Sequence, residues 1–282
     1  MDVRLLGPLE VLENGGAVTL GGRKQRAVLA LLALNASRAL ATERIVDELW
    51  GERVPPTAVK MVQVYVSQLR KVLPEGTIRT AAGGYVLDVD PAATDVVRFE
   101  RLLDDARRAL VRGEAAAARE LLERALGLWR GQALAEFGAE PFGRTESARL
   151  EELRLAALEE RLEADLLLGR HGEVVGELDA LVARQPLRER PRRQHMLALY
   201  RSGRHADALA SYQAYRRALD EELGIEPSVQ LRELERLILN QDPSLEPPPP
   251  SLEAPAGATP LAAPGATGPT LAGREDELRV LS

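Results

Sequence analysis

Between Ala58 and Leu73 the chain sets Lys60, Gln63, Val64, Ser67, Gln68, Arg70 and Lys71 at spacings that gather side chains onto one side of a helix. These residue types suit the edges of a DNA duplex. Lys60, Arg70 and Lys71 offer cations to phosphate oxygens, Gln63, Ser67 and Gln68 offer hydrogen-bonding groups to base edges, and the Val64 methyls fit against a thymine methyl. No acid falls among them. From Arg53 to Leu87 there are five cations (Arg53, Lys60, Arg70, Lys71, Arg79) against one acid, Glu75, so the segment is locally positive in a chain of net charge -6. Charge alone would equally suit a solvated helix face. The elements around the segment have to decide between the two.

On the opposite side of the same helix, Val59, Val62, Val66, Leu69 and Leu73 form a stripe expected to be buried. Arg53-Val54-Pro55-Pro56 must be a stiff, non-helical lead-in, because two prolines exclude helical continuation. Before it, Thr42 is the expected N-cap of a helix from Glu43 to Trp50 that buries Ile45, Val46, Leu49 and Trp50 and stops at Gly51. Helix, loop, helix is thus spelled out. Further upstream, Val3–Leu6, Leu9–Leu12 and Ala17–Leu20 read as three short antiparallel strands, the last two joined by a turn at Asn14-Gly15-Gly16. A helix from Arg23 to Leu34 follows, with Val28, Leu31 and Leu32 pointing inward. Its opening cations Arg23, Lys24 and Arg26 oppose the helix dipole, a penalty that a DNA phosphate would relieve and that ion pairing to Glu43 or Asp47 would relieve equally. After Leu73, Thr77–Thr80 and Tyr85–Val89 make a two-stranded wing around a tip containing Gly83 and Gly84. Arg79 and these two glycines are placed to brace the adjoining DNA backbone.

The rest of the chain is different in kind. Thr94-Asp95 caps a helix running to about Arg112, and helical patterns recur over Ala115–Trp129, Glu146–Leu168, Gly172–Arg184, Arg188–Ser202, His205–Leu223 and Ser228–Leu239, with no alternation suited to strands. Gly169-Arg170-His171 returns as Gly203-Arg204-His205, 34 residues later, which is the tetratricopeptide period. The expected fold class is mainly α: a winged helix-turn-helix with small antiparallel sheets over residues 1–90, then an all-α tetratricopeptide-like array over 91–242. Residues 243–271 hold nine prolines and no aromatic residue and read as an unstructured linker, followed by a short segment over 272–282.

Composition closes off several functions. Cysteine is absent, which removes disulfides and thiolate chemistry and fits a reducing cytoplasm, and no apolar run is long enough to cross a membrane. The pI is near 5.4, so contact with DNA must be local: residues 1–90 carry 11 cations and 10 acids, leaving the excess of acid to the remainder. Lysine is rare, at 24, 60 and 71 only, beside 34 arginines. The histidines, His171, His195 and His205, all fall in the helical array without a ligand set; turn or cap positions with solvent exposure are expected for His171 and His205. Gly21-Gly22-Arg23-Lys24 lacks the spacing of a phosphate-binding loop. No enzyme activity, metal or cofactor is expected.

The order of elements, the Leu-Trp-Gly end at residues 49–51, the Val-Tyr-Val-Ser-Gln-Leu-Arg-Lys run at 64–71 and the Gly-Gly-Tyr wing at 83–85 together resemble the OmpR-type winged helix over residues 3–90. With Leu128-Trp129-Arg130-Gly131-Gln132-Ala133-Leu134 and Glu222-Leu223-Gly224-Ile225-Glu226-Pro227-Ser228, the chain over 3–240 resembles the Streptomyces antibiotic regulatory protein family, transcription activators that join such a winged helix to a bacterial transcriptional activation domain. The resemblance implies a dimer bound head to tail on direct repeats about one helical turn apart, in promoters of secondary-metabolite gene clusters, and recruitment of RNA polymerase. By the same resemblance the loop with Glu52, Arg53, Val54 and Pro55 would meet polymerase at its sigma factor. One position departs: Val86, not arginine, follows Tyr85, and Arg79 is a poorer substitute for minor-groove readout. Leu271–Leu278 resembles the opening of the ATPase domains found in larger members, which implies a longer parent protein. Two other readings remain open here, a tetratricopeptide-type protein adaptor and the sensory front end of an ATPase regulator.

Overall fold

The computed structural model describes residues 1–246. Strands β1 (Asp2–Arg4), β2 (Glu10–Glu13) and β3 (Gly16–Ala17) form an antiparallel meander in which Val3 faces Val11 and Leu12 faces Ala17. Asn14 and Gly15 close it at φ 49° and 82°, the left-handed pair that a tight hairpin requires. Then come α1 (Arg23–Leu34), β4 (Leu40–Ala41), α2 (Thr42–Trp50), α3 (Ala58–Val72), β5 (Ile78–Ala81) and β6 (Gly84–Leu87). The wing has a third strand, since β4 pairs with β6 to give the order β4-β6-β5. Thr42 is the first residue of α2 rather than its cap, which Ala41 occupies without a side-chain bond.

The array follows as α4 (Asp95–Val111), α5 (Ala115–Leu126), α6 (Pro141–Leu167), α7 (His171–Arg184), α8 (Glu189–Arg201), α9 (His205–Leu223) and α10 (Val229–Leu239). Thr94 caps α4 as expected, its Oγ1 accepting from the Val97 N–H. Helix α6 begins five residues before the expected start at Glu146, because Pro141 at its first turn is preset for helix entry. Three turns repeat one geometry. Gly113, Gly169 and Gly203 sit at φ 77° to 79°, and the following N–H of Glu114, Arg170 and Arg204 reaches back to the carbonyl of Ala109, Asp165 and Leu199. The first of these turns carries neither Arg-His nor the 34-residue spacing, so the sequence repeat marked only the other two.

The cores do not divide at residue 90. One continuous apolar cluster runs from Val3 through Leu87 into Phe99, Leu122, Trp129, Phe137, Phe142 and Leu150, ending at Ala157 in the middle of α6. A second, from Leu162 to Leu245, fills α6's last turns and α7–α10. The winged helix and the first three array helices therefore share a single core. The expected linker does not begin at 243: Pro243–Leu245 form a 3-10 turn, Leu245 is buried in the second core, and the Arg201 Nε donates to its carbonyl at 2.8 Å. The remainder of the expected linker and the 272–282 segment lie outside the described residues.

Candidate nucleic-acid interface

Helix α3 exists because Ala58, Val62, Val66 and Leu69 bury one stripe against the core, and Leu73 closes the stripe just past its end. At about 100° per residue, every residue expected to touch DNA falls on the remaining arc: Lys60, Gln63, Val64, Ser67, Gln68, Arg70 and Lys71 are all exposed. Val59 is a correction. It is 49% exposed, because it lies on the Gln63 side of the helix, outside the buried stripe. With Val64 at 45% and Val72 at 42%, three aliphatic residues stand exposed on a helix that carries no acid.

Arg70 is exposed but not free. Its Nε donates to the Ile78 carbonyl and its Nη2 to Thr80 Oγ1, each at 2.9 Å, and its guanidinium lies 5.9 Å from the centre of the Tyr85 ring. It clamps the wing to α3 instead of extending toward a phosphate. Arg79 is likewise paired, with Asp88 Oδ2 at 2.6 Å, and that pairing holds its guanidinium above its ordinary pKa. Asp88 lies one residue beyond the cationic Arg53–Leu87 segment.

The two wing glycines separate in role. Gly83 is exposed in the left-handed region at φ 75°, and its carbonyl accepts from the Thr42 N–H. Gly84 is buried where β4 crosses: a Cβ there would lie 1.9 Å from the Leu40 carbonyl oxygen, so its lack of side chain serves strand packing rather than a ligand. Val86 is 9% exposed, on the face of β6 opposite the core-facing Tyr85 and Leu87.

The cations opening α1 find acids from the array, not Glu43 or Asp47. Arg23 Nη2 is 2.9 Å and Lys24 Nζ 3.3 Å from the carboxylate of Glu140, which is 3% exposed. Arg26 grips Glu136 through both Nε and Nη2, and Glu136 also accepts from the Leu9 N–H at 2.9 Å. The side chains of Arg23 and Lys24 are therefore paired with Glu140 across the seam between the two parts. The clue available in the sequence was three cations at Arg23–Arg26 with no acid within nine residues on either side.

Sequence reasoning missed the other half of the seam. Asp95, which in sequence reads as part of a helix cap, is buried and accepts from the N–H groups of Leu5 and Leu6 at 2.7 and 3.0 Å. The carbonyls of the same two residues accept from Leu134 and Arg130 N–H at 2.9 and 2.8 Å. Leu5-Leu6 is thus stitched to the array through all four of its backbone groups. Burial pushes the Asp95 carboxyl above its ordinary range despite those donors and the nearby Arg130. Trp129 sits edge-on to Phe99 at 5.4 Å in this shared core.

The loop of Glu52, Arg53, Val54 and Pro55 leaves α2 through Gly51 at φ 56°, with all but Pro55 exposed. Gly51 lies against the start of α6, where an added Cβ would meet Pro141 Cγ at 3.2 Å. Among the histidines the expectation fails once: His171 is buried with neither ring nitrogen partnered, and burial, with Arg201 nearby, pushes its pKa down. His205 is exposed and stacks on Tyr200, and His195 is buried between Ser211 and Asp179. Among the described residues no acid–histidine cluster with metal-binding geometry occurs, and no helix is long and apolar enough to cross a membrane.

Comparison with known proteins matches two segments of the chain to two family descriptions. The family description "Transcriptional regulatory protein, C terminal" matches residues 16–87, and "Bacterial transcriptional activator domain" matches residues 94–239. The chain is 43% identical over 257 residues to the regulatory protein DnrI of Streptomyces peucetius, covering 87% of this chain and 94% of that one. It is 45% identical over 242 residues to the regulatory protein AfsR of Streptomyces coelicolor, covering 86% of this chain but only 24% of the relative. A solved structure of Mycobacterium tuberculosis EmbR in complex with a low-affinity phosphopeptide superposes with a TM-score of 0.83 at 35% identity, over 86% of this chain and 65% of that one. These matches are transcriptional regulators, not enzymes, and with both halves accounted for, the chain belongs to the Streptomyces antibiotic regulatory protein family of transcriptional activators.

Proposed function

We propose that this chain is a cytoplasmic, sequence-specific activator that binds direct repeats in promoters of secondary-metabolite genes as a head-to-tail dimer and recruits RNA polymerase. The observation that carries the reading is the exposed arc of α3, acid-free, with Gln63, Val64, Ser67 and Gln68 between Lys60 and Lys71. An arc of that length fits the major groove, where the cations set position through phosphates and the amides and hydroxyl read base edges. Arg70 and Arg79 support it indirectly, by fixing the wing whose Gly83 tip then lies against the backbone. The α2–α3 loop, exposed beside the start of α6, offers Glu52, Arg53, Val54 and Pro55 to the polymerase sigma factor.

The test is recovery of sheared genomic DNA on the immobilised chain at about 150 mM salt, followed by sequencing. Enrichment of a few promoters carrying repeats about 10–11 base pairs apart is expected. Uniform recovery would remove the sequence-specific reading in favour of a protein-binding adaptor. On the recovered operator, Gln63→Ala is expected to relax base preference at one position per repeat; an unchanged preference strikes Gln63 from the readout.

A further inference from the structure

Helix α1 begins without any of the usual devices. Its N-cap is Gly22, in extended conformation at φ -64° and ψ 167°, and it carries no side-chain cap bond and no acid in the first turn. The first backbone N–H groups, those of Arg23, Lys24 and Gln25, consequently lack acceptors. The side chains of Arg23 and Lys24 turn toward Glu140, away from this end. An uncapped helix start leaves a positive dipole end open to solvent.

A second observation comes from Gln25. Gln25 is 6% exposed as a residue, and its amide, unpaired among the described residues, is not closed off from solvent. It lies over Gly21, where an added Cβ would fall 2.0 Å from Oε1, and it lines an open groove with Gly21, Gly22, Gln68 and Lys71. That groove joins the α1 start to the exposed arc of α3. With no partner from the chain, the amide is free to bond a group placed in that groove.

We propose that this groove is a phosphate site for the DNA backbone, in which the uncapped N–H groups of α1 and the Gln25 amide hold one phosphate that Lys71 neutralises from across the groove. The proposal rests on the DNA-binding reading above and adds the contact that sets the register of α3 along the duplex. Oriented N–H groups and one cation recognise a phosphate ester in general, and the alternative source is a free phosphate ion.

The experiment uses Gly22→Asp in the full chain. No atom lies within 4 Å of a Cβ at Gly22, and its backbone conformation suits any residue. The new carboxylate would cap α1, which raises its stability, while occupying the phosphate position with a negative charge. Because the contact is to the backbone, it is read on a duplex of arbitrary sequence at low salt as well as on an operator. Expected are an unchanged or higher melting temperature, a loss of about tenfold in duplex affinity, and a salt slope shallower by about one unit. In the wild-type chain the amide resonances of Arg23 and Lys24 should shift on adding duplex. A folded Gly22→Asp that binds duplex as the wild type does overturns the proposal, as do amides that respond to millimolar inorganic phosphate but not to duplex. Wild-type binding with no sequence preference would sink the activator reading while leaving this contact measurable on its own terms.

Discussion

Removing the Asp95 carboxylate should unfasten the winged helix from the array. In Asp95→Ala the N–H groups of Leu5 and Leu6, in residues with no exposed surface, lose their acceptors together. Each stranded donor costs about 1–3 kcal/mol, so a loss of about 4 kcal/mol is expected, and Asp95→Asn, which keeps one acceptor oxygen, should lose about half of that. At 2–4 °C per kcal/mol for a chain of this size, the alanine variant should melt about 8–16 °C lower. Urea unfolding followed by tryptophan fluorescence reads it, because Trp50 and Trp129, one in each part, both pack on the first core. Both should report the same lowered midpoint with an unchanged slope. A loss under about 1 kcal/mol, or a Trp129 signal that shifts without Trp50, would refute the claim that Leu5-Leu6 is held by the array and that the parts share one core.

Three further outcomes follow from the geometry. Gly84→Ala drives a methyl into the Leu40 carbonyl and should cost about 1–3 kcal/mol or more, with loss of β4–β6 pairing seen as faster amide exchange at Tyr85. Lys60→Ala should weaken duplex binding for all sequences and reduce the salt slope by about one unit, whereas Arg70→Ala should chiefly lower stability by about 1–2 kcal/mol through its lost wing bonds; equal slope changes in the two would contradict the wing-clamp role. Burial would raise the Glu136 carboxyl, but Arg26 and the Leu9 N–H outweigh it and hold it below its ordinary range. A depressed folded pKa contributes stability above the unfolded pKa and loses it as pH falls through the folded one, so the urea-midpoint gap between wild type and Glu136→Gln should close between about pH 5 and pH 3. A gap that widens on acidification would reverse that assignment.

Local pattern settled which elements form and which face of α3 is free. The three- and four-residue steps of Val62, Val66, Leu69 and Leu73, the proline pair before Thr57, and the Gly203-Arg204-His205 turn are short-range signals, carried by backbone sterics and helical periodicity that act within a few residues. What lay beyond them was the pairing of distant groups. Whether Arg23, Lys24 and Arg26 face DNA or protein depends on Glu136 and Glu140, more than a hundred residues away, and whether Gly84 serves a ligand or a strand depends on where β4 crosses it. Arg70 and Arg79 look like free cations in the sequence because a charge carries no record of its partner. Tertiary structure decided these roles, and it placed the seam between the cores inside α6 rather than at the change of composition near residue 90, because apolar burial follows contact in space and not order along the chain.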